Sequence, residues 1–78
     1  MPIENTSYAI FQPGPIRNLA IGCKTGKTII WDVKSKNIVK KFPVLSSGIK
    51  ILDFNSKNTF LAAALENGET NIFSLTSN

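Results

Sequence analysis

With 78 residues, 42% of them apolar and 18% charged, the chain has a globular composition and the size of one small domain, near the limit at which a single core suffices. It holds no histidine and one cysteine, Cys23, which removes the usual zinc sites, histidine-based catalytic triads and any intrachain disulfide. The net charge of +4 is uneven: in residues 1–47, Arg17 and six lysines outweigh Glu4 and Asp32 for +5, whereas residues 48–78 set two lysines against three acids for −1.

Short apolar runs separated by Gly, Pro, Asn and Ser, without a sustained 3.6-residue period, predict strands and essentially no helix. In chain order the strands are expected at Ser7–Phe11, Leu19–Lys24, Thr28–Val33, Asn37–Phe42, Gly48–Phe54, Phe60–Leu65 and Thr70–Leu75. The connections "QPGPIRN", "TGK", "KSK", "PVLSS", "NSKNT" and "ENGE" each hold residues that turn backbones require. Asn67-Gly68 is the clearest hairpin signal and predicts a type I′ turn. The expected class is all-β, an antiparallel meander.

The longest apolar run, "FLAAAL" at Phe60–Leu65, suits a buried strand and falls far short of the ~20 residues a membrane helix needs. "MPIENTSYAIF" lacks a basic stretch followed by an apolar one, so no secretory leader is expected. A lone thiol fits a reducing compartment, and an intracellular location, nuclear or cytoplasmic, is expected. The basic first half suits nucleic acid or an acidic partner, although lysines also mark the solvated positions of strands and turns.

The chain repeats itself. Sliding it by 42 residues (61 minus 19) lays "LAIGCKTGKTIIWDV", Leu19–Val33, over "LAAALENGETNIFSL", Leu61–Leu75. Leu, Ala, Gly, Thr and Ile coincide, Trp31 falls on Phe73, and Phe11 falls on Phe54 once one loop differs by a residue. A unit of ~40–45 residues with four strands is the signature of a propeller blade.

"LAIGCKTGKTIIWDV" resembles the ending of a WD repeat, in which a small-residue strand leads to a turn glycine and then Trp-Asp; "FQP" at Phe11–Pro13 is similar to the aromatic-x-Pro that often follows the innermost strand. This likeness runs from about Thr6 to Leu75. It implies antiparallel four-stranded blades of a WD-repeat-type propeller, about two of them, the first in residues 1–47 and a second, incomplete one in 48–78. There are departures from the pattern. No histidine stands near Val44-Leu45, Lys24-Thr25 replace the acid before Gly26, and Phe73-Ser74 replace Trp-Asp, so the family's His–Ser–Trp–Asp network has no counterpart. The order Phe11, Pro13, Ile30 to Asp32, Phe42-Pro43, Phe54-Asn55 is also similar to the central repeats of the spliceosomal U-box ubiquitin ligase family, without the U-box itself. Propellers close with about four to eight blades. The resemblance therefore implies the rest of a propeller, or further copies of the chain, as partners.

The stretch "GCKTGKT" invites a second reading, as a phosphate-binding loop. Such a loop needs four residues between its glycines and must open a helix whose N-terminus holds the phosphates. Gly22 and Gly26 are separated by three, and "TIIWDV" is strand-forming. Gly26 is therefore expected to turn a hairpin. Cys23 is expected as a small buried filler, while the WD-repeat likeness implies Trp31 as a packed residue with its N–H bonded and Asp32 as a residue that caps or orients a turn. The same likeness implies that Asp53 faces a turn, and Glu66 and Glu69 are expected to be solvated acids at a hairpin tip.

No group of residues converges into a catalytic, cofactor or metal site, so the expected function is a non-enzymatic scaffold for protein or peptide partners. Its binding loops are expected to be Gln12–Asn18 and Phe42–Gly48, on one face because each connects to an innermost strand, with Gln12, Arg17, Ser46, Ser47 and Lys50 as contact residues. The alternative is a small basic β-protein for single-stranded nucleic acid, using the +5 half with Trp31 and Phe42 interleaved and Lys40 and Lys41 on the phosphates.

Overall fold

The computed structural model of the chain describes residues 5–15 and 17–76. Seven strands are present among them and no helix: β1 (Thr6–Phe11), β2 (Asn18–Cys23), β3 (Thr28–Asp32), β4 (Asn37–Lys41), β5 (Ile49–Phe54), β6 (Phe60–Leu65) and β7 (Thr70–Ser74). Each boundary lies within one residue of its expected place. Strands β1 to β4 form one antiparallel meander and β5 to β7 a second, and the two sheets stack with β5 against β1 and β2. The protein is all-β.

The internal repeat survives in the hydrogen-bonded register. Tyr8–Gly22, Ala9–Ile21, Ile10–Ala20 and Phe11–Leu19 pair in the first sheet, and Ile51–Ala64, Leu52–Ala63, Asp53–Ala62 and Phe54–Leu61 pair at the equivalent places in the second. Even the β-bulge recurs, between Thr6 and Tyr8 and again between Ile49 and Ile51. On the other side of β2 and β6, Leu19–Trp31 and Leu61–Phe73 correspond, as do Ala20–Ile30 and Ala62–Ile72.

Alternation along the strands gives each sheet two faces. Tyr8, Ile10, Ala20 and Ile30 of the first sheet pack on Leu52, Phe54, Leu61, Ala63, Leu65 and Phe73 of the second. At the closest approach Gly22 admits the Ile49 side chain; a Cβ there would meet Ile49 Cβ at 2.7 Å. Ser7 Oγ ties the sheets by donating to the carbonyls of Gly22 and Ile49. Phe42, just past β4, crosses over and stacks on Phe73 with ring centroids 4.4 Å apart.

The two β-hairpin turns at Gly26 and Gly68 are alike, and neither is type I′. Gly26 N–H donates to Cys23 O and Cys23 N–H to Lys27 O, and Gly68 to Leu65 and Leu65 to Glu69 in the same pattern. These are three-residue loops closed by a glycine in the left-handed region, at φ +92° and +91°. Asn67 keeps a negative φ because its side chain serves the turn instead, its Oδ1 accepting from Glu69 N–H at 3.0 Å.

Candidate interaction surface

The connections sort to two ends of the stacked sheets. One end gathers residues 12–15, 17, 33–36 and 55–59: Asn58 Nδ2 donates to Pro13 O at 2.8 Å, and Val33 N–H to Arg17 O at 3.0 Å. The other gathers 24–27, 42–48 and 66–69: Leu45 N–H donates to Gly26 O at 3.0 Å, and Asn67 Nδ2 lies 3.5 Å from Ser46 Oγ. The described residues of Gln12–Asn18 (residue 16 lies outside them) and Phe42–Gly48 are therefore at opposite ends rather than on one face. The reason is direction. Gln12 follows the C-terminal end of β1, residues 42–48 enter the N-terminal end of β5, and the two strands run the same way.

The expected contact residues are divided accordingly. Gln12 and Arg17 sit at the first end, with Gln12 Oε1 accepting from Asn18 Nδ2 at 3.2 Å and Arg17 exposed. Ser46 and Ser47 sit at the second, beside the Gly26 turn, and Lys50 is exposed near the start of β5. No site unites the five.

Asp32 does cap its turn. Its Oδ1 accepts from Lys34 N–H at 2.9 Å and Ser35 N–H at 3.4 Å, while Lys36, at φ +61°, closes the loop onto Asp32 O. The Lys34 backbone N–H, more than any other group, holds the Asp32 carboxyl below the usual carboxylate range. Asp53 is exposed near the end of β5, in a groove with Asn55, and the neighbouring turn is organised by Asn55, whose Oδ1 accepts from Thr59 N–H at 2.9 Å and Phe60 N–H at 2.8 Å. The sequence carries a signal for this, an Asn opening a Ser/Asn/Thr-rich connection. Cys23 is buried, and burial raises its thiol pKa against the opposing pull of Lys27. Glu66 and Glu69 are exposed.

Trp31 is half-buried on the face turned away from the second sheet, in a cross-strand row with Phe11, Leu19 and Ile38. Beside it a shallow groove of about 530 Å³ is lined by Lys36, Lys40 and Lys41. Lys40 Nζ lies 5.6 Å from the Phe42 ring centroid. The second sheet shows the opposite kind of outer face. Ile51 (46% exposed), Phe60 (48%) and Ile72 (61%) stand out on it, and Phe60, Ala62 and Ile72 line a groove of about 320 Å³ together with Asp53. In the sequence, "FLAAAL" reads as a buried strand, whereas its Phe60 is exposed.

Among the described residues no three His, Cys, Asp or Glu side chains converge. The surfaces of the described residues include two loop-bearing ends, a basic hairpin with an aromatic, and an apolar sheet face. No protein-family model, curated protein or solved structure matches the chain.

Proposed function

We propose that the chain is a non-enzymatic interaction module, two WD-type blades of a propeller scaffold that presents its strand-connecting loops to protein or peptide partners. The observation that carries this reading is the recurrence of strands, bulge, pairing and turn in two successive sheets packed face to face. Modules built this way bury one repeat against the next and leave loops free for recognition. The likeness to the repeats of the spliceosomal U-box ligases supports placing the scaffold in a pre-mRNA splicing or ubiquitin-ligase assembly. The ends are tested separately, by capturing partners from lysate on the immobilised chain and on its Arg17→Glu and Lys50→Glu variants. Loss of a captured protein with one variant assigns the binding end; capture indifferent to both overturns loop-mediated binding.

The groove at Trp31 favours a second reading, because its lining brings Lys36 and Lys41 to one aromatic, the combination that holds a single-stranded nucleic acid by stacking and phosphate pairing. A labelled oligonucleotide should then bind with strong salt dependence and lose affinity to the Lys40→Glu/Lys41→Glu chain. Equal binding by that variant removes the reading.

A further inference from the structure

We infer that the exposed face of β5–β7 docks a second copy of this chain, through the outward face of that copy's β1–β4. The inference rests on the interaction-module reading and names one partner for it.

The argument starts from the contact inside the molecule. There, the face of the first sheet bearing Ile10, Ala20 and Ile30 meets the face of the second bearing Phe54, Leu61 and Phe73. The repeat carries each of these faces over to the other sheet. Asp53, Ala62 and Ile72 pair in one row on the outer side of the second sheet, where Ile10, Ala20 and Ile30 pair in the first. Phe11, Leu19 and Trp31 pair on the outer side of the first sheet, where Phe54, Leu61 and Phe73 pair in the second. One chain therefore displays both halves of an interface it already makes internally, each with exposed apolar side chains: Ile51, Phe60 and Ile72 on one side, Phe11 and Ile38 on the other. A contact of this kind is head-to-tail, and it continues from copy to copy.

Two details set its geometry. Ile21, Cys23 and Ile29 of the outward face are already withdrawn from solvent in the single chain, so the contact centres on the Phe11 row. Consistently, Ala64 occupies the place where Gly22 lets Ile49 approach, and its Cβ holds the incoming sheet further off at that end. Charge agrees: residues 48–78, net −1 with Asp53 on the docking face, would meet residues 1–47, net +5 with Arg17 beside Phe11.

The test is light scattering after size exclusion on the chain and two variants, Ile72→Asp and Phe11→Asp, each altering one exposed residue. The unmodified chain should rise above 8.5 kDa with concentration. Each variant alone should stay near 8.5 kDa with an unchanged β-sheet spectrum. Their equimolar mixture should stop at a dimer, because it holds a single intact pair of faces. An unmodified chain that remains a folded monomer overturns the proposal, while the lysate capture above separately tests the loop-mediated reading on which it rests. A Phe11→Asp chain that still associates also overturns it, since the contact would then be face to like face. If either variant fails to fold, Ile51→Lys and Ile38→Lys give the same logic on the same two faces.

Discussion

The two sheets share register, bulge and turn, yet equivalent positions live in different surroundings. Leu61 is fully buried between the sheets, whereas Leu19 is half-buried on the outside; Gly26 is pressed against the backbone of residues 45–47, whereas Gly68 has open space around it. Thr28 is wholly buried and Thr70 exposed. The difference teaches that the repeat encodes the strands and their pairing, while what each face touches comes from its place in the stack. Each equivalent pair is therefore a controlled comparison, one side packed and one side open.

The largest contrast is expected in the core. Leu61→Ala should lower unfolding free energy by about 2–5 kcal/mol, and Leu19→Ala by clearly less. Chemical denaturation of both reads this directly. Equal losses would mean that the outer face is as well packed as the inner one, which would break the comparison.

Next come the glycines. Gly22→Ala must displace Ile49 and should cost about 1–3 kcal/mol. Gly26→Ala and Gly68→Ala share the strain of a positive φ, but only at Gly26 would the added carbon strike backbone, at 2.9 Å from Ser47 O. A larger midpoint loss at 26 than at 68 sharpens the contrast; the reverse order refutes the described approach of residues 45–47 to this turn.

A smaller effect of opposite sign belongs to the threonines. Thr28 Oγ1 is buried with no hydrogen-bond partner among the described residues, so Thr28→Val should stabilise by about 1 kcal/mol, while Thr70→Val stays within about 0.5 kcal/mol of zero. Destabilisation at 28 would reveal a partner for the hydroxyl.

The smallest is the pH response of the β3–β4 turn. The folded-state pKa of Asp32 lies below its unfolded value, so its contribution is fully present above the ordinary aspartate range of about 4 and is lost as pH falls through the lowered folded value. Asp32→Ala should therefore narrow the stability difference from the unmodified chain as the solution is acidified through that window. A difference independent of pH would remove the carboxylate from the turn.

These contrasts also mark how far the sequence could be read. The seven strands were legible because β-branched and aromatic runs alternate with Gly, Asn and Ser, and the repeat was legible because Leu, Ala, Gly, Thr and Ile recur at a fixed spacing. The caps at Asp32 and the turn glycine at 26 follow from local chemistry: an aspartate accepts nearby N–H groups, and only glycine enters the left-handed region without strain. The form of the "ENGE" turn was not legible, since Asn-Gly suits a two-residue loop and a three-residue one alike, and the pairing of flanking residues chooses between them.

The sequence by itself determined the class, the strand order and the pairing of neighbours, all of which depend on residues close along the chain. Only the tertiary structure decided which face of each sheet is covered, that the two long connections lie at opposite ends, and that Ile51, Phe60 and Ile72 remain outside. Those outcomes depend on how one sheet lies on the other, a relation between residues about 40 positions apart that local alternation specifies only up to the choice of face.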